Sequence, residues 1–279
     1  MTILSGKARL AGILGWPVAH SRSPRLHGLW LRRHGIDGAY VPLPVAPADF
    51  ASAVRGLVAL GFQGANVTIP HKEAAFACCD EVDPVAQRMG AVNTLMFRNG
   101  RILGSNTDGF GFLENLRQAV PGWRAESGTA VLLGAGGSAR AIAVALLMAG
   151  CPEVVLVNRT MARAEALARA IGGPIRVVEA PPLGEAALLV NTTSLGMQGQ
   201  PPLPFDLAAL PDHAVVADIV YVPSETPLLR AARARGLRVA GGLGMLLHQA
   251  RPGFRKWFGV DPVVDAELAD FVGGDIPAG

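Results

Sequence analysis

The chain has 279 residues, half of them hydrophobic and 17% charged, with a formal net charge of +3, a balance that excludes a disordered or tail-like protein. Its arginines are scattered, with Arg230, Arg233 and Arg235 read as the solvated end of one helix, so no nucleic-acid groove is expected and anionic small molecules fit better. Cys78, Cys79 and Cys151 are odd in number, which implies no disulfide framework and a reduced, cytoplasmic setting; Leu10–Ala19 is too short for a signal peptide, and no run reaches the length of a membrane span.

Strands alternate with helices throughout, so an α/β fold with mostly parallel sheets is expected. The first strand is read at Ala11–Leu14, followed by a helix from Pro24 to His34. Ser23 is the expected N-cap, Pro24 fits the first helical position and Gly35 the C-terminal stop. A strand at Tyr40–Leu43 and a helix after Pro47 up to Leu60 come next. Ala65–Ile69 reads as a strand ended by Pro70, with a helix from Lys72 to about Cys78 behind it. Val92–Phe97 and Ile102–Gly104 flank Arg98-Asn99-Gly100-Arg101, whose Asn-Gly pair predicts a hairpin. His20, His27 and His34 are spaced by seven, but Pro24 starts the helix after His20, so no metal site is expected. A helix from about Phe110 to Val120 and a loop-like Pro121–Gly128 lead into a second domain.

That domain opens with a buried strand, Ala130–Leu133, which stops at Gly134-Ala135-Gly136-Gly137-Ser138-Ala139 and continues as an alanine-rich helix. Strand, glycine turn and helix form a dinucleotide fingerprint. Gly134 permits the tight turn, Gly136 lets the backbone approach a pyrophosphate, and Ala139 keeps the helix close to the strand; the helix N-terminus then faces the phosphates. The next strand, Val154–Val157, ends at Asn158-Arg159-Thr160, with Arg163 close behind. An NAD-selective site would place Asp or Glu there, whereas a guanidinium pairs with a 2′-phosphate. The expected cofactor is NADP(H). Further strands are read at Ile175–Val178, Ala187–Val190, Val215–Ile219 and Leu237–Ala240. Helices at Leu243–Trp257 and Pro262–Phe271 are expected to return to the first domain. The expected division is therefore a substrate-binding domain at 1–110, completed by 243–279, and a Rossmann-type NADP-binding domain at 111–242.

Several polar residues do not behave like ordinary structure. Lys72 falls in the first turn of its helix, where the positive dipole end disfavours a cation by roughly 0.3–1 kcal/mol and suits a proton-transfer group. A snorkelling surface lysine is the plainer reading. Asn66 and Thr68 alternate with Val67 and Ile69, putting a polar face on a strand that should be apolar, near the end where open α/β sheets bind ligands. Asp108, Ser21 and Ser23 lie at helix starts, where simple capping also accounts for them.

The motifs in order are HSRSP (His20–Pro24), NVTIPHK (Asn66–Lys72), GAVNT (Gly90–Thr94), SNTDG (Ser105–Gly109), GAGGSARA (Gly134–Ala141), NRT (Asn158–Thr160), NTTSLGM (Asn191–Met197), DIVY (Asp218–Tyr221) and GLGMLLHQA (Gly242–Ala250). This set resembles the shikimate/quinate dehydrogenase family, most closely its NADP-dependent branch in aromatic amino-acid biosynthesis. The resemblance implies reversible reduction of 3-dehydroshikimate to shikimate, with Lys72 and Asp108 as the catalytic pair. It implies that Ser21 and Ser23 bind the substrate carboxylate with Tyr221 nearby, and that Asn66, Thr68, Asn93 and Gln249 hold ring hydroxyls. Gly134, Ala135, Gly136, Gly137, Ser138, Asn158, Arg159, Thr160 and Arg163 would bind NADP, with Ile219 and Gly242 near the nicotinamide. Gly28, Ile219 and Gly241 depart from the residues common in the family at those places. The implied partners are the small-molecule substrate alone, with no nucleic acid and no membrane, in a monomer or homodimer. A quinate/shikimate dehydrogenase using NAD(P) is the alternative within the family, and a non-catalytic NADPH-sensing protein is the alternative of another class.

Overall fold

The computed structural model describes residues 3–203 and 205–279. The chain divides into two compact units, Met1–Thr107 with Gln249–Val272, and Asp108–His248 with Gly273–Gly279.

The first unit is built on β1 (Arg9–Gly15), β2 (Gly38–Pro44), β3 (Gly64–Val67), β4 (Glu81–Val82), β5 (Thr94–Arg98) and β6 (Arg101–Ser105), in the sheet order β2-β1-β3-β5-β6-β4. β1 runs parallel to β2 and β3, and β4 to β6, while β5 is antiparallel to both its neighbours. The β5–β6 hairpin turns on Asn99 and Gly100 at φ of 51° and 75°, the left-handed pair that an Asn-Gly turn supplies. Helices α1 (Ser23–Arg33), α2 (Phe50–Ala59), α3 (Lys72–Cys78) and α4 (Pro84–Met89) connect the strands. Neither β4 nor α4 is foreseen in the sequence reading.

Two local expectations are corrected here. Ser23 does not cap α1: it lies inside the first turn, behind Arg22, with no side-chain cap. Instead Ser21 Oγ accepts the Ser23 backbone N–H at 3.3 Å. The strand β3 also stops at Val67: its ladder with β1 closes on the Thr68 N–H to Leu14 O bond at 2.9 Å, and Thr68 O then turns aside to accept the His71 N–H at 2.9 Å. That turn ends the paired register before Thr68 and leaves Ile69 exposed. A buried aromatic cluster stands behind the sheet, where His27 stacks on Tyr40 at 4.0 Å and lies beside Trp30, Phe254 and Trp257. Burial pulls the His27 imidazole down to about 3, with Asn66 opposing. The histidine is therefore neutral, and its ring packs against the aromatic side chains around it.

The second unit holds β7 (Thr129–Leu133), β8 (Val154–Val157), β9 (Ile175–Val178), β10 (Ala186–Asn191), β11 (Val215–Asp218) and β12 (Arg238–Ala240) in the order β12-β11-β10-β7-β8-β9. Every pairing is parallel. The strand order reverses between β7 and β10, the switch point at which a doubly wound sheet opens a ligand crevice. Val131, Leu133, Val155, Leu189 and Val216 are among the buried residues of one core cluster, each worth roughly 1.5–3 kcal/mol on burial. Helices α5 (Asp108–Ala119), α6 (Gly137–Met148), α7 (Met161–Ile171) and α8 (Pro227–Ala234) complete this unit. Arg235 is not merely solvated: its guanidinium donates to the carbonyls of Leu207 and Leu210.

Helix α9 (Gly242–Phe258) begins in the second unit and passes into the first at Gln249. The final helix, α10 (Ala266–Gly273), starts four residues later than the sequence suggests. Asp265 Oδ1 accepts the Leu268 N–H at 2.8 Å and thereby caps it, and the same carboxylate pairs with Arg33 of α1. Among the described residues no helix is long and apolar enough to cross a membrane.

Candidate active site

In the first unit, one hydrogen-bonded network joins residues that the sequence places far apart. The Tyr40 hydroxyl donates to Asn66 Oδ1 at 2.7 Å, and Asn66 Nδ2 donates to Asn93 O at 3.1 Å and Thr94 Oγ1 at 3.2 Å. Thr94 Oγ1 donates to Asn93 Oδ1 at 2.9 Å, and the same oxygen accepts the Thr107 N–H at 2.9 Å. Thr107 Oγ1 reaches Gln249 Oε1 at 3.5 Å. Ser23 joins at the other end, hydrogen-bonded to Tyr40, whose hydroxyl burial holds well above its ordinary titration range. Asn66, Asn93 and Ser23 are each under 5% exposed, so their orientation is set by these partners before any ligand arrives.

Thr68 and Lys72 are half-buried. Thr68 packs so closely on the end of β1 that a Cβ on Gly15 would come within 2.6 Å of its methyl group. Lys72 opens α3, and its carbonyl accepts the Val92 N–H at 2.9 Å, tying the helix start to the segment entering β5. His71 anchors the same turn, its Nε2 at 2.8 Å from Val45 O and its ring stacked on Phe50. Tyr40, Thr94, Thr107 and His71 fall within the strands and motifs read from the sequence but are given no site role there. Period-two polarity marks Asn66, but nothing local marks the partners that orient it.

In the second unit, a cavity of about 740 Å³ opens at the C-terminal ends of β7, β8 and β10. It brings together Gly134, Ala135, Gly136, Asn158, Arg159 and Arg163. Gly134 has φ +116°, and a Cβ there would meet Thr192 Oγ1 at 2.6 Å, so glycine is required by both conformation and space. Gly137 and Ser138 do not line the cavity; they form the first turn of α6, behind Gly136 as N-cap. Thr160 is also off the wall, but its carbonyl accepts from Asn158 Nδ2 at 2.8 Å, which folds the turn carrying Arg159. Glu179, Thr192, Thr193 and Phe205 line the cavity as well. Glu179 is exposed at the end of β9 and has no signal in the sequence beyond its place after a strand.

Asp108 begins α5 and lies inside its first turn, so it is a first-turn carboxylate and not the residue before the helix. Ile219, Tyr221 and Gly242 lie outside the 740 Å³ cavity. Ile219 follows β11, its N–H donating to Asn191 O at 3.1 Å. Gly242 packs backbone to backbone on it, since a Cβ there would stand 2.2 Å from Ile219 O. Among the described residues no group of three or more His, Cys, Asp or Glu side chains could hold a metal ion.

Two family models match the chain: a shikimate dehydrogenase substrate-binding domain over residues 13–95 and a shikimate/quinate 5-dehydrogenase over residues 116–192. A shikimate dehydrogenase (NADP+) of Rhodospirillum rubrum is 62% identical over 275 residues, covering 95% of this chain and 97% of its own. The chain belongs to the shikimate dehydrogenase family. Among solved family structures, the Thermus thermophilus shikimate 5-dehydrogenase in complex with NADP(H) and shikimate has a TM-score of 0.84 at 40% identity, covering 95% of this chain and 98% of that one. A quinate dehydrogenase from Corynebacterium glutamicum in complex with NAD has a TM-score of 0.87 at 32% identity, with the same coverage. The family is thus assigned over nearly the whole chain, and the two-sheet α/β architecture is shared with its members.

Proposed function

We propose that this member of the family catalyses the reversible, NADP-dependent reduction of 3-dehydroshikimate to shikimate, a cytoplasmic step toward the aromatic amino acids. The observation that carries the reading is the cavity that collects the Gly134–Gly136 turn with Arg159 and Arg163. A backbone cradle at a helix N-terminus suits a pyrophosphate, and two guanidinium groups on one cavity wall, Arg159 in the turn before α7 and Arg163 in its first turn, suit a 2′-phosphate. NADPH, when bound, supplies the hydride. Lys72 delivers the proton to the substrate oxygen that becomes the C3 hydroxyl, and Asp108 supplies the negative charge of the pair. Ser21, Ser23 and Tyr221 take the substrate carboxylate. Asn66, Thr68, Asn93 and Gln249 take the ring hydroxyls, with Asn66 and Asn93 pre-oriented by Tyr40, Thr94 and Thr107, so little side-chain freedom is lost on binding.

The test follows NADPH absorbance with 3-dehydroshikimate, then quinate oxidation with NADP+ and with NAD+. Rapid NADPH loss with 3-dehydroshikimate, and little turnover of quinate, is the expected result. Faster quinate oxidation with NAD+ would move the chain to the quinate branch. No turnover of either substrate, with NADPH still bound, would make it a sensing protein.

A further inference from the structure

Asp218 ends β11, 2% exposed, beside Asn191 at the end of β10. Its Oδ1 accepts from Asn191 Nδ2 at 2.9 Å and from the Val220 N–H at 3.0 Å, and its Oδ2 accepts from the Thr226 hydroxyl at 2.7 Å. Thr226 in turn caps α8 by accepting the Leu229 N–H at 3.4 Å. Asn191 extends the network: its Nδ2 also donates to Leu195 O at 3.0 Å, and its Oδ1 accepts the Thr193 N–H at 3.0 Å and the Thr193 hydroxyl at 2.7 Å. One buried carboxylate therefore ties three segments together. They are the loop after β10, which lines the cavity, the loop after β11, and the start of α8.

The Ile219 peptide is held from both sides. Its N–H donates to Asn191 O at 3.1 Å, and Gly242 closes on its carbonyl so tightly that no Cβ fits. Arg159 and Arg163 fix the phosphorylated adenosine on the β8 side of the switch point. The other mononucleotide then falls over the ends of β10 and β11, on the opposite side of the reversal. That placement rests on the NADP reading given above. We propose that Asp218 is a positioning residue for hydride transfer: without touching the cofactor, it fixes the Ile219 peptide that holds the nicotinamide ring. The arrangement works against burial, which pushes the carboxyl up to about 6 while three hydrogen bonds favour its ionised form. An apolar or amide group would close the same space without that cost, so the carboxylate serves geometry at the loops.

The experiment uses Asp218→Ala and Asp218→Asn in the full chain, with two readouts. One is the single-turnover rate of NADPH oxidation by 3-dehydroshikimate, with its primary deuterium isotope effect from 4-deuterated NADPH. The other is affinity for adenosine 2′,5′-bisphosphate, which carries the phosphorylated adenosine and lacks the nicotinamide. Asp218→Ala should slow hydride transfer about tenfold or more with a fully expressed isotope effect, because a misplaced reactant is costly even when bound. Its affinity for the bisphosphate should stay within about twofold of wild type. Asp218→Asn, which keeps an acceptor for Asn191 and Val220, should fall between the two, and it alone decides if the alanine variant does not fold. Hydride transfer within about twofold of wild type, or a parallel loss of bisphosphate affinity, overturns the proposal. A wild type that oxidises no NADPH overturns the functional reading itself, before either variant is compared.

Discussion

Asn93 Oδ1 accepts the backbone N–H of Thr107 at 2.9 Å, so a side chain 14 residues upstream fixes the last peptide before Asp108. The same oxygen accepts from Thr94 Oγ1 and Thr107 Oγ1, which commits the amide carbonyl to the protein. Asn93→Ala would strand the buried Thr107 N–H and should cost about 1–3 kcal/mol of stability, with kcat/KM falling alongside. Urea unfolding and steady-state kinetics on the variant check this. Wild-type stability would show that the contact is replaced by water.

Lys72→Ala should remove the proton donor while leaving the fold intact, since α3 retains its Val92 contact through the backbone. General acid–base groups contribute roughly 10²–10⁴-fold in rate, so kcat should drop within that range with little change in substrate KM. Near-normal turnover removes Lys72 from the proton-transfer role.

Asp108→Asn separates structure from chemistry. As a first-turn carboxylate, Asp108 stabilises the α5 dipole by roughly 0.3–1 kcal/mol, and its amide should cost no more than that in unfolding free energy. The catalytic role predicts a folded variant with turnover reduced by about two orders of magnitude or more. Full activity in a folded variant would leave Asp108 as a helix-terminus charge only.

Asp218 gives a pH prediction of definite sign. Its folded value is raised to about 6 from 3.8, so the folded state holds the proton more tightly than the unfolded state. The stability from this group is complete below the unfolded value and is lost as pH rises through about 6. The loss amounts to about 3 kcal/mol at 1.36 kcal/mol per unit. Asp218→Asn has no such titration, so the stability of wild type relative to that variant should decline from acid to neutral pH. Parallel urea-unfolding curves for the two proteins between pH 4 and pH 7.5 would refute it.

Where local chemistry decides, the sequence is a sufficient guide. Val154–Val157 reads as a strand and is one, and Asn99-Gly100 turns its hairpin because only such residues take paired positive φ readily. The failures are places where a distant partner decides. Pro262 looks like a helix start, but Asp265, held by Arg33 from far back in the chain, captures the Leu268 N–H and moves the start to Ala266. Ser23 looks like a cap, yet Arg22 precedes the helix and Ser23 turns inward to Tyr40. The two-residue strand β4 carries no periodicity at all. At the candidate site, the glycine turn and the arginines are legible because their spacing is local. The Asn191–Asp218 pair is 27 residues apart in sequence and becomes a unit only when β10 pairs with β11.

Cofactor selectivity should reside in Arg159 and Arg163. Both line the cavity that holds the Gly134–Gly136 turn, and Asn158 folds the turn beneath Arg159 through Thr160 O. Glu179 lines the same cavity and sets a boundary on the reading, because a carboxylate beside a 2′-phosphate is repulsive unless a guanidinium screens it. Losing one charge-assisted contact costs roughly 1.5–3 kcal/mol, about one to two orders of magnitude in affinity. Arg159→Ala should therefore raise the KM for NADPH by that factor and leave the KM for NADH nearly unchanged. Because both arginines are exposed, added salt should weaken NADPH more than NADH. Glu179→Gln should act in the opposite sense and tighten NADPH. The deciding measurement is the NADPH/NADH ratio of kcat/KM in wild type and Arg159→Ala at two salt concentrations. A ratio that does not move, or a wild type that already prefers NADH, would place the phosphate elsewhere and assign this cavity to an unphosphorylated ribose.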